Sequence, residues 1–92
     1  MKVGVIGSGG REHAICISLK KSKNIDKIYC FPGNAGTSFI AENIEIELNN
    51  FEELKRVIEE LGIDIIIVGP EKPLVDGIVD FLELNKIKVF GP

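Results

Sequence analysis

The sequence predicts an open α/β sheet of about five mostly parallel strands, with helices on both faces. Three observations predict it. Short apolar runs at residues 3–6, 28–31 and 63–68 alternate with stretches of helical period, the pattern of βαβ units. Each run ends in a turn rich in Gly or Pro, at residues 7–10, 32–37 and 69–73. The run at 63–68 is broken only by Asp64, which is how a central strand covered on both faces reads. At 92 residues the chain makes one domain, 1–92, with a single small core.

Taken in order, Val3, Val5 and Ile6 lack helical spacing and stop at Gly7, so the first element is a strand. A helix begins near Gly10 or Arg11, with Ala14, Ile15, Ser18 and Leu19 at helical spacing. Lys20, Lys21 and Lys23 at its end compensate the helix dipole. Ile28, Tyr29, Cys30 and Phe31 form the second strand, ended by Pro32 and Gly33. Ile44, Ile46 and Leu48 alternate with Glu45 and Glu47, which predicts an edge strand with one wet face.

Asn50 caps a second helix whose apolar positions Phe51, Leu54, Val57, Ile58 and Leu61 follow the 3.6 period, and Gly62 stops it. Glu52, Glu53, Glu59 and Glu60 are its solvated face. Residues 63–68 are the fourth strand, Leu74, Val75, Ile78, Val79 and Leu82 mark a third helix, and residues 87–90 a fifth strand. With right-handed crossovers the expected strand order is 3-2-1-4-5, and the switch point falls between the first and fourth strands.

Composition narrows the function. With 45% hydrophobic and 27% charged residues, and no run near the ~18 apolar residues of a membrane span, the chain reads as cytoplasmic with no membrane partner. Cys16 and Cys30 sit in a helical and a strand pattern without a C-x-x-C, so they read as buried free thiols rather than a disulfide or metal pair. The net charge of −3 divides into +4 over residues 1–40 and −7 over residues 41–92. No basic face of the kind that binds nucleic acid is present, and an anionic small molecule would favour the N-terminal third.

The turn at residues 7–10 is the first ligand candidate. Gly7, Gly9 and Gly10 let backbone N–H groups approach a ligand, and a helix starting at Gly10 adds its unpaired N–H groups and dipole, which suits phosphate. Glu12 stands where the dinucleotide fingerprint has its third glycine, which argues against NAD or FAD, and no Walker lysine follows. The bland alternative is a turn that binds nothing. The second candidate is the loop at 32–37, where Asn34 offers a donor and an acceptor; turn chemistry alone also accounts for it. The third is Glu71, flanked by Pro70 and Pro73 at the end of the central strand. Ser8 and His13 do not make a hydrolase, since Ser8 is outside any G-x-S-x-G elbow.

Gly7-Ser8-Gly9-Gly10-Arg11-Glu12-His13, Pro32-Gly33-Asn34-Ala35-Gly36-Thr37, Val68-Gly69-Pro70-Glu71 with Pro73-Leu74-Val75, and Phe90-Gly91-Pro92 together resemble the N-terminal domain of the phosphoribosylamine–glycine ligase family. These are the glycinamide ribonucleotide synthetases of de novo purine synthesis. The resemblance implies a Rossmann-like, pre-ATP-grasp domain on the substrate side of an ATP-grasp ligase that joins glycine to 5-phosphoribosylamine, with ATP hydrolysed to ADP and phosphate. ATP, Mg²⁺ and glycine would be bound by ATP-grasp and C-terminal domains beyond residue 92, which would be the partners of this one. The 92 residues alone would then hold no cofactor, metal or catalytic residue and would not form the amide bond. The family's substrate-binding positions carry over to Gly9, Gly10, Arg11, Glu12, Asn34, Glu71 and Pro73. On chemical grounds the turn and Arg11 suit the ribose phosphate, and Glu71 the ribose hydroxyls or the amine. A different class, a free-standing regulatory module that binds a nucleotide or sugar phosphate, is the alternative.

Overall fold

The computed structural model describes residues 1–7, 9–69 and 77–90. Their elements are β1 (Lys2–Gly7), α1 (Gly10–Lys20), β2 (Lys27–Pro32), a 3-10 turn (Thr37–Phe39), β3 (Glu42–Asn43), α2 (Phe51–Leu61), β4 (Ile65–Val68), α3 (Ile78–Leu84) and β5 (Lys88–Phe90). All strand pairings are parallel and the order is β3-β2-β1-β4-β5, as the sequence predicts. β1 and β4 are therefore neighbours, with Ile6 opposite Val68.

Alternation along the strands builds two cores of unequal size. Ile6, Phe31, Ile66 and Val68 face α2 and α3, where they meet Leu54, Ile58, Ile78 and Leu82. Val5, Ile28 and Cys30 point the other way, toward Cys16 on α1. Gly4 belongs to the larger side, because a Cβ there would come within 2.9 Å of the Phe31 ring. The start of α2 meets the middle of α3 through the Phe51 and Phe81 rings, 5.2 Å apart at their centroids and tilted by 41°.

The capping signals of α2 hold. The Asn50 side chain accepts from the Glu53 N–H, and Gly62 closes the helix at φ 69°. Glu53 and Glu60 lie beside Arg56 on its wet face, at 3.6 and 2.9 Å.

Three expectations are corrected. β3 is two residues long and ends at Asn43, ahead of the predicted strand at 44–48. Ile44 still donates to the Cys30 carbonyl at 2.7 Å, but the chain then leaves the sheet so that Ile46 and Leu48 reach the larger core. The alternation there reports burial without pairing. In α1 the buried residues are Glu12 and Cys16, with Ile15 and Leu19 half-covered, whereas Ala14 and Ser18 are exposed. The stripe is rotated because Glu12 has a partner and a space inside, so its carboxylate turns inward. β4, finally, is fully covered on one face and partly on the other: Ile66 and Val68 are buried, while Ile65 and Ile67 are half-buried, with Ile67 against the smaller core. Phe90, opposite Ile67 on β5, is 56% exposed. The predicted Leu74 and Val75 start of the third helix lies outside the described residues.

Candidate functional site

The strand ends of β1, β2 and β4 form one border, and backbone hydrogen bonds tie it together. Gly33 donates to the Gly7 carbonyl at 3.0 Å, and Gly69 donates to the Ile6 carbonyl at 3.2 Å. The first two predicted loops therefore leave the sheet side by side, and the third begins on the same border at Gly69. Glu71 and Pro73 lie outside the described residues, as does Ser8.

Glu12 is the centre of this border. It is fully buried, and its Oε1 accepts from the Gly9 N–H at 2.7 Å, reaching back over the first turn of α1 as a capping glutamate does. Among the described residues its Oε2 has no hydrogen-bond partner. Two glycines make its room. A Cβ on Gly69 would fall 2.7 Å from Glu12 Cδ, and one on Gly7 would fall 2.7 Å from Oε1; Gly7 also has φ 140°. The residue that spoils the dinucleotide fingerprint thus fills the space between β1, β4 and the start of α1. Gly9 stands at the N-cap in extended geometry, and its carbonyl accepts from His13 at 3.2 Å. The N–H groups of the residues that follow have no intrahelical acceptor and provide the positive end of the helix. Arg11 is exposed on this first turn and Gly10 is open, with nothing within 4 Å of a Cβ placed there.

The second loop is pinned to the first. Asn34 Nδ2 donates to the Gly9 carbonyl at 3.2 Å, while Asn34 Oδ1 accepts from the Thr37 N–H at 2.9 Å and the Asn34 N–H donates to Thr37 Oγ1 at 2.8 Å. Asn43 closes the network, with Oδ1 accepting from the Thr37 hydroxyl at 2.8 Å and Nδ2 donating to the Asn34 carbonyl at 2.8 Å. Gly33, at φ 78°, leaves the space that Asn43 and Thr37 occupy, and Gly36 lies against the His13 ring. Sequence reading missed Thr37, Asn43 and His13 as supports. For Thr37 a signal existed, its spacing of three from Asn34; for Asn43 none did, because the contact depends on the parallel pairing of β3 with β2.

Beneath the border, Cys16 and Cys30 are both free and buried, as expected, and their Sγ atoms are 3.3 Å apart. The hydrogen bond from Cys16 pulls the Cys30 thiol below its ordinary value against the opposing effect of burial, with the Thr37 hydroxyl helping. The same bond, together with burial, pushes Cys16 up. Among the described residues no group of three or more His, Cys, Asp or Glu could hold a metal ion.

A doubly wound parallel sheet whose switch point carries a glycine turn and a helix N-terminus places the chain in the class of α/β domains whose ligands, as a rule, lie outside the carboxyl ends of the strands. Comparison with known proteins narrows this class. The chain belongs to the family described as "Phosphoribosylglycinamide synthetase, N domain", which matches residues 1–92. It is similar to phosphoribosylamine–glycine ligase of Caldanaerobacter subterraneus subsp. tengcongensis, with 53% identity over the whole chain and 22% of the relative. The same enzyme of Clostridium acetobutylicum is 45% identical over the same shares. A crystal structure of phosphoribosylamine–glycine ligase from Thermotoga maritima aligns at TM-score 0.59 and 34% identity, over 74% of this chain and 15% of that one. The chain spans about a fifth of the length of the curated relatives it matches.

Proposed function

We propose that this chain is the substrate-side domain of an ATP-dependent carbon–nitrogen ligase of purine synthesis and helps hold 5-phosphoribosylamine. The full protein, with ATP-grasp and C-terminal domains that bind ATP, Mg²⁺ and glycine, activates glycine as an acyl phosphate, which the amine of phosphoribosylamine attacks. The observation that carries this reading is the hydrogen bond from Asn34 to Gly9, which joins two loops at the switch point beside a helix N-terminus. In this reading the Gly9–Gly10 backbone and Arg11 bind the ribose phosphate, and Asn34 holds the turn and meets the sugar. Glu12 fixes the turn from below and contributes to substrate binding through it. Glu71 and Pro73 complete the site from the third loop, with Glu71 taking the ribose hydroxyls or the amine. Alone, the 92 residues bind the sugar phosphate without forming the amide.

Steady-state assay of the full-length enzyme tests this. Arg11→Ala raises KM for phosphoribosylamine on the order of tenfold, about 1.4 kcal/mol, and leaves KM for glycine and ATP in place. An unchanged KM for phosphoribosylamine contradicts the assignment.

A further inference from the structure

The two thiols beneath the border belong to neither ligand loop. Cys16 lies one turn after Glu12 on α1 and Cys30 lies in β2, four residues before Asn34; both are 0% exposed. Their Sγ atoms face each other at 3.3 Å, so closing to a disulfide of about 2.05 Å needs a movement of roughly 1.2 Å. They sit in the smaller core, under α1, which is the sole α-helix on its face among the described residues. Opening of that one helix exposes them to a small oxidant without unfolding the larger core.

We propose that Cys16 and Cys30 form a reversible oxidation site that closes to an intramolecular disulfide when the protein meets a hydroperoxide. We take Cys30 as the attacking sulfur: the Cys16 thiol, 3.3 Å away, is placed to donate to it, and its own thiol is held below the ordinary value. With hydrogen peroxide, a sulfur–oxygen bond forms as the O–O bond breaks, and the departing hydroxide takes the proton that Cys30 released, leaving as water. Cys16 then attacks the sulfenic sulfur; the S–S bond forms, the S–O bond breaks, and the hydroxyl leaves with the Cys16 proton as a second water. Two thiols lose two electrons and one peroxide is reduced. The new bond ties α1 to β2 between Glu12 and Asn34, the residues that brace the two loops.

Full-length protein is treated with hydrogen peroxide, alkylated with iodoacetamide in denaturant, digested with trypsin and weighed. The expected product is peptide 12–20 joined to peptide 28–55, lighter than the two reduced peptides by about two hydrogen masses and separated again by dithiothreitol. In Cys16→Ser the link disappears and Cys30 sulfenic acid is captured by dimedone. The proposal is overturned if both peptides of the wild-type protein remain fully alkylated, or if Cys30 proceeds to sulfinic acid with no link. The wild-type measurement decides the matter even where the serine variant does not fold.

Discussion

A carboxylate placed where a dinucleotide domain keeps a glycine explains why Gly7 and Gly69 are both required. Neither can gain a Cβ without striking Glu12. Gly69→Ala should destabilise the protein by about 1–3 kcal/mol through overpacking. Glu12→Ala removes the obstacle, so the double variant should be less destabilised than the sum of the two, with a coupling of about 0.5 kcal/mol or more. Urea unfolding of the four proteins in the cycle measures this, and strict additivity would mean that Glu12 does not fill that space. Asn34 belongs to the same scale. Asn34→Ala removes the bond to Gly9 and the bond from Thr37, at about 0.5–1.5 kcal/mol each. It should also weaken ribose 5-phosphate binding, read by calorimetry; a destabilised protein with unaltered affinity would make the loop a brace only.

Among the elements, α2 was the most legible in the sequence, because its signals are local. Asn50, the 3.6 period and Gly62 mark both ends within a dozen residues of sequence. Asn50→Ala should cost about 1 kcal/mol in unfolding free energy, and a value near zero would show that packing alone sets the helix start. The first strand, its turn and the strand order were legible for the same reason, since apolar runs and glycines mark them. The stripe of α1 is legible only in part: Ile15 and Leu19 pack against the smaller core, but a buried Glu12 looks polar in sequence, and only the glycines of two distant strands reveal its space. β3 lies earlier than the alternation at 44–48 predicts, because alternation records which side chains are buried and does not record which backbone groups are paired. Its end is joined to β2 by Lys27 and Glu42 at 3.1 Å, both about half exposed. Removing that pair should change stability by no more than about 1 kcal/mol in a double-mutant cycle.

At the scale of the molecule, among the described residues two helices cover one side of the sheet and one covers the other, so the core beneath the candidate border is lopsided. The larger core holds the strand ends that carry Gly7 and Gly69, and the smaller one holds α1, whose N-terminus faces the border. The proposed function depends on that border, at the carboxyl ends of β1, β2 and β4, being the place where a sugar phosphate sits. A concavity of about 310 Å³ at the opposite ends of β2 and β3, lined by Lys20, Lys27, Phe39 and Glu42 among others, is the natural control. Two-dimensional NMR titration of the chain with ribose 5-phosphate is the most direct measurement. The amides of Gly9, Gly10, Arg11 and Asn34 should shift together and saturate, with those of Lys20, Lys27 and Glu42 still. Saturable shifts confined to the Lys20–Lys27 end, or none at the Gly9 turn, would contradict the account.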